Sequence, residues 1–89
     1  MIIQNERREA MARLTYKDIV WVSVGNYIGT INWTYNVCVR DGNTTRNVRY
    51  SSGSMYRECN RVPKCVLKFI RNGKLDEKNS SLIHKTYVA

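Results

Sequence analysis

Between Thr30 and Arg40 the chain alternates without a break, with Ile31, Trp33, Tyr35, Val37 and Val39 on one parity and Thr30, Asn32, Thr34, Asn36, Cys38 and Arg40 on the other. Successive residues of an extended strand point to opposite faces, whereas a helix repeats its apolar residues every three or four positions. The pattern therefore predicts a strand with one face in the core and one polar face in water. Asp41-Gly42 follows as a hairpin turn, because glycine tolerates the positive φ that tight hairpins need, and residues 44–50 return as the next strand.

The same reasoning organises the rest. Residues 19–24 are a β-branched run closed by Gly25-Asn26, and residues 51–54 are a break. Residues 55–62 admit a helical turn or a strand. Pro63 ends that segment, residues 65–70 predict a fourth strand stopped by Asn72-Gly73, and residues 75–81 form a polar, mobile loop. Residues 82–88 have enough β-formers to close an edge. Helical spacing occurs at Ile3, Arg7, Ala10, Met11 and Leu14, with charges of both signs on the other sides, which predicts one short amphipathic N-terminal helix within residues 1–14.

Together these elements predict a mainly β protein, α+β by count: a small five-stranded antiparallel barrel with a short N-terminal helix. Its 89 residues suffice for one domain. The barrel core spans 16–70, the loop 75–81 and the closing strand 82–88. Trp21, Trp33 and Tyr35 are assigned to the core, since their strands have clear apolar faces.

Charge is distributed unevenly. Residues 40–74 hold nine of the fifteen Lys and Arg residues against two acids, Asp41 and Glu58, which is +7 of the net +8. Clustered cations suit a polyanion, because neutralising phosphates releases counterions, although a basic face also serves solubility. The candidate nucleic-acid-binding residues are Arg40, Arg46, Arg49, Tyr50, Tyr56, Arg57, Arg61, Lys64 and Lys68. The planar fork of arginine suits bidentate phosphate contacts, and Tyr50 and Tyr56 offer faces on which bases stack. Core packing is an equal alternative for Tyr50. Arg46 and Arg49 have opposite parity on their strand, so the expected patch runs from Arg40 and Arg49 to Arg57, Arg61 and Lys64.

Catalytic chemistry has little to build on. The single histidine, His84, has no serine or cysteine elbow to serve, and no phosphate-binding loop or metalloprotease helix motif occurs. Asp76-Glu77 lies between Lys74 and Lys78, as in a charge-balanced solvated loop. Cys38, Cys59 and Cys65 form no CxxC pair, so reduced structural thiols are expected rather than a zinc site. Arg57 and Arg61 beside Cys59 could lower its pKa, a weaker reading. No cofactor, metal or enzymatic activity is expected. The scattered charges exclude a spanning helix, and the N-terminus lacks the order of a secretory signal, so a cytoplasmic protein is expected.

The run Tyr16-Lys17-Asp18-Ile19-Val20-Trp21-Val22-Ser23-Val24-Gly25-Asn26-Tyr27-Ile28-Gly29-Thr30-Ile31 resembles the opening of a KOW-type module. In that family a polar-Asp start leads into an alternating strand, a glycine turn and a second glycine followed by an aliphatic residue. The resemblance implies a small barrel of the Src-homology and Tudor type and a partner that is RNA, DNA or protein. In general character, small, basic and without an enzyme signature, the chain is also similar to bacteriophage accessory proteins, which would act in a host cytoplasm. The leading expectation is a non-enzymatic nucleic-acid-binding module. The alternative is a protein-interaction module that docks on an acidic host protein and inhibits a nuclease, polymerase, toxin or defence factor.

Overall fold

The computed structural model describes residues 14–26, 32–53 and 62–89. The expected N-terminal helix, apart from Leu14, lies outside the described residues. After a 3-10 turn at Tyr16–Asp18, three strands form a meander: β1 (Ile19–Asn26), β2 (Trp33–Asp41) and β3 (Thr44–Ser52). A helix α1 (Lys64–Asn72) leads to a two-residue strand β4 (Lys74–Leu75), a 3-10 turn at Glu77–Asn79, and β5 (His84–Val88). All pairings are antiparallel, and the order across the sheet is β3-β2-β1-β5-β4. The protein is thus mainly β, with five antiparallel strands in one sheet and one helix among the described residues. Among the described residues the sheet does not close into the expected barrel, and β3 and β4 stand at its two ends.

The alternation in β2 is realised as a core face of Tyr35, Val37 and Val39, all buried, with Trp33 half-buried beside them. The turn to β3 places Gly42 at φ 65°, the only positive φ among the described residues. Positive φ at the first of two central turn residues is what a II′ hairpin requires. Thr44 opposite Asp41 restarts the ladder, and its hydroxyl donates to the Asp41 carbonyl at 3.1 Å.

Residues 65–70 are helical rather than the expected fourth strand. Val66, Leu67, Phe69 and Ile70 are buried while Lys64, Lys68, Arg71 and Asn72 are exposed, a spacing that covers one side of a helix. Strand propensity in this run is outweighed by tertiary packing, as a scale spanning about 1 kcal/mol readily is. Pro63 opens the helix instead of only ending what precedes it: its fixed φ suits the entry to a first turn, and its carbonyl accepts from Val66 and Leu67. Among the described residues no helix is long and apolar enough to cross a membrane.

The helix lies against β1 and β5 and contributes to a single core cluster with Val22, Val24, Val37 and Tyr50. It ends where Gly73 donates to the Phe69 carbonyl at 2.8 Å. A Cβ at Gly73 would stand 2.7 Å from the Phe69 carbonyl oxygen and 2.8 Å from that of Val88. Both are backbone atoms, so the last helical turn and β5 approach too closely for any side chain. Gly73→Ala is therefore expected to cost about 1–3 kcal/mol in urea unfolding, the range for overpacking. Gly53→Ala, with nothing within 4 Å of the added methyl, should change stability by less than about 0.5 kcal/mol.

Candidate functional site

Directly opposed residues of an antiparallel pair project to the same side, so the strand registers sort every side chain. The first face of the sheet carries the core and α1. The second is formed by Thr34, Asn36, Cys38 and Arg40 of β2, opposite Ser51, Arg49, Asn47 and Thr45 of β3. Trp21, Ser23 and Gly25 of β1 continue it, opposite Val88, Thr86 and His84 of β5. None of these strand positions is acidic.

A bulge in β1 sets this division. Ile19 faces Val39 but Trp21 faces Cys38, so β1 has one residue more than β2 over that interval, and Val20 is the extra one. Such an insertion reverses the parity of the residues beyond it. Ile19 joins Val22 and Val24 in the core, and Trp21 turns to the second face, half-buried, against its expected assignment to the core. Gly25-Asn26, expected to close the strand, are its last two residues. Cys38, whose parity predicts exposure, is only 5% exposed, opposite the large Trp21 side chain.

Ser23 and Thr86 are 8% and 6% exposed, their hydroxyl oxygens 2.8 Å apart. Thr86 donates its one hydroxyl proton to the Asn79 carbonyl at 3.0 Å. Ser23 must therefore donate to Thr86, which leaves its own oxygen as an acceptor. The loop expected at 75–81 takes part in this network. Leu75 pairs in the sheet, Asp76 N–H donates to the Thr86 carbonyl, and the Ser80 hydroxyl oxygen accepts from Thr86 N–H. The Asp76 carboxylate takes bonds from the Lys78 amide and the Asn79 side chain, within its own turn.

The candidate residues separate in space. Arg40 and Arg49 share the second face: Arg40 donates to the Lys17 carbonyl at 3.0 Å, and Arg49 Nε to Asn36 Oδ1 at 3.2 Å. Arg46 lies on the other side of β3, 3.5 Å from Asp41. Lys64 and Lys68 stand on the solvent side of α1, which covers the opposite face from Arg40 and Arg49. Lys68 rests 5.2 Å over the Tyr16 ring, which itself lies 5.7 Å from Phe69. Tyr50, 6% exposed, belongs to the core. Tyr56, Arg57 and Arg61 lie outside the described residues, as does Cys59.

Two depressions open on the second face. One of about 400 Å³ is lined by Trp21, Ser23, Asp76, Asn79, His84, Thr86 and Val88. Another of about 360 Å³ is lined by Gly25, Asn26, Thr34, Asn36, Arg49, Ile83 and His84. A third, about 330 Å³, runs along Lys64, Leu67, Lys68, Arg71 and Asn72 of the helix. Sequence reasoning assigned Trp21 to the core and, though it placed Asn36 and His84 at the surface, did not group them with Arg49, because that grouping depends on the bulge and on the pairing of β5 with β1. Among the described residues no group of three or more His, Cys, Asp or Glu side chains is placed to hold a metal ion. No family model matches this chain, nor does any curated protein or solved structure.

The hydroxyl relay carries a specific expectation. Thr86→Val strands both the Ser23 proton and the Asn79 carbonyl and should cost about 1–3 kcal/mol. Adding Ser23→Ala should cost less than the sum of the two single changes, as a double-mutant cycle in urea would read.

Burial raises the Tyr50 phenol above its ordinary 10.0, reinforced by the neighbouring Cys65 and opposed by Arg46. Burial likewise raises the Cys65 thiol above 9.0, opposed by backbone hydrogen bonds. The folded chain keeps both protons to higher pH than the unfolded chain. This contribution is intact below about pH 9 and is lost as the pH climbs through the raised values. Urea midpoints should hold up to about pH 9 and fall above it, and above about pH 10 they should fall less steeply in Tyr50→Phe.

Proposed function

We propose that the chain binds single-stranded nucleic acid across the second face of its sheet. One observation carries the reading: that face brings Arg40 and Arg49 together with Thr34, Asn36, Asn47 and Trp21, on strand positions without an acid. Arginines supply phosphate contacts, amides and hydroxyls supply hydrogen bonds to sugar and base edges, and a half-buried indole offers a stacking plane. The Asp76 carboxylate, bonded to neutral donors of its own turn, borders the depression beside Trp21 and is absent from the lining beside Arg49. The helix cations Lys64, Lys68 and Arg71 add to the long-range field that attracts a polyanion.

A second reading is favoured by the edge strand β3. It carries Arg46 and Arg49 and pairs in the sheet with β2 alone among the described residues, so an acidic protein partner could add a strand there.

Titration of a labelled single-stranded oligonucleotide separates the two. With about two to three phosphate contacts, affinity should fall about tenfold between 50 and 200 mM salt. Arg40→Ala with Arg49→Ala should flatten that dependence by about one to two units, whereas Lys64→Ala with Lys68→Ala should lower affinity less. Loss confined to the helix pair would reject the second face as the binding surface. A chain that ignores oligonucleotides at low salt would reject nucleic acid and leave the protein partner.

A further inference from the structure

The depression between β2 and β5 has a specific origin. Across the second face one row of paired residues runs Ser51, Thr34, Gly25, His84. Neighbouring strands lie about 4.8 Å apart, and three of these four positions carry side chains. Gly25 carries none, so near the end of the middle strand the row has a gap, with Thr34 on one side and His84 on the other. An ideal Cβ at Gly25 would meet the His84 ring at 3.7 Å and the Ile83 carbonyl oxygen at 3.9 Å, ordinary contact distances. Packing therefore tolerates a methyl at Gly25, and the depression of about 360 Å³ lies over this position.

The rim of that space is built of donors. Asn36 Oδ1 accepts from Arg49 Nε at 3.2 Å, a bond that uses neither of the two terminal nitrogens of the guanidinium lining the space. The same bond orients the Asn36 amide so that its NH₂ group is also available. Thr34 adds a hydroxyl, Asn26 an amide and His84 a ring N–H, and no acid among the described residues lines the space. An arginine held by a neighbour, beside several neutral donors, matches the requirements of a phosphate. The volume lies at the lower end of small-molecule sites, more than a phosphate alone fills.

We propose that this pocket is a phosphate subsite that seats a phosphate-bearing group of nucleotide size, with Arg49 as its principal contact and Gly25 as its floor. Identification of the ligand as a nucleotide rests on the nucleic-acid reading above. The phosphate belongs either to a strand or to a free nucleotide, which share the recognised chemistry.

Amide shifts of Gly25, Asn26, Thr34 and Asn36 in ¹⁵N-correlated spectra provide the test. Inorganic phosphate and a nucleoside monophosphate are expected to move them, and the parent nucleoside is not. Arg49→Ala should weaken the monophosphate response by about tenfold or more. Gly25→Val should do the same by filling the floor; should valine prevent folding, Gly25→Ala is the variant to use, since its methyl meets only ordinary contacts. Monophosphate that leaves these amides unmoved, or moves them equally in Arg49→Ala, overturns the subsite. Oligonucleotides with a 5′-phosphate and with a 5′-hydroxyl are titrated in parallel. Stronger binding of the phosphorylated strand assigns the pocket to a strand terminus, equal binding of both with a lasting Arg49 dependence assigns it to an internal phosphate, and a response to monophosphate alone assigns it to free nucleotide. Strands that bind without any dependence on Arg49 or Gly25 reject the subsite and spare the nucleic-acid reading. A response to phosphate without strand binding rejects that reading and spares the subsite.

Discussion

Helix α1 packs Val66, Leu67, Phe69 and Ile70 onto β1 and β5, and this contact decides which side of the sheet becomes core. Nine residues of helix span about 14 Å, enough to cover part of one face of a five-stranded sheet. With the apolar parity of β2 and β3 committed to that side, Thr34, Asn36, Arg40, Asn47 and Arg49 are left on the other. Burying any of them would require a partner for each polar group, whereas water supplies one at no cost. The polar second face is thus the complement of the helix contact.

Two local irregularities turn that complement into a shaped surface. The extra residue Val20 lets Ile19 join the core and brings Trp21 out beside Ser23 and Thr86. Gly25 then leaves its place in the row empty, so that Asn36, Arg49 and His84 border a recess instead of a flat sheet. The segment 76–80 closes the far side by hydrogen bonding to Thr86, which fixes the wall next to His84. Arg40 and Arg49 are each held by an acceptor on their own side, Lys17 and Asn36, so their orientation is set before any ligand arrives.

Among the described residues, basic charge is less focused in space than along the chain. Arg46 is turned to the first-face side of β3 beside Asp41, and Lys64 and Lys68 ride on the helix. Tyr50 packs in the core opposite Tyr35. Of the nine residues singled out by the charge pattern, the second face holds two among those described, Arg40 and Arg49. They are joined there by Trp21, Asn36 and His84, which no count of cations would select.

The alternating strand expected at 30–40, its hairpin at Gly42, the return from Thr44 and a strand within residues 82–88 were legible in the sequence, though the last lies between β1 and β4 instead of closing an edge, because period-two alternation and turn chemistry are properties of neighbouring residues and position in a sheet is not. Net charge and the opposite parity of Arg46 and Arg49 were legible for the same reason. Residues 65–70 were not: their β-branched and aromatic content suits a strand, and only packing against β1 and β5 makes the helix the better burial. Nor could parity alone place Trp21, since one bulged residue reverses a face and its position depends on the register with β2. Closure was also beyond local reading, because whether β3 meets another edge depends on how the whole sheet twists and on what covers it. Local pattern specified the strands of the meander, the parities of β2 and β3 and the basic balance; contacts between segments far apart in the chain settled which parity faced the helix, which arginines shared a face, and that Gly25 would lie beneath a recess bordered by Arg49 and His84.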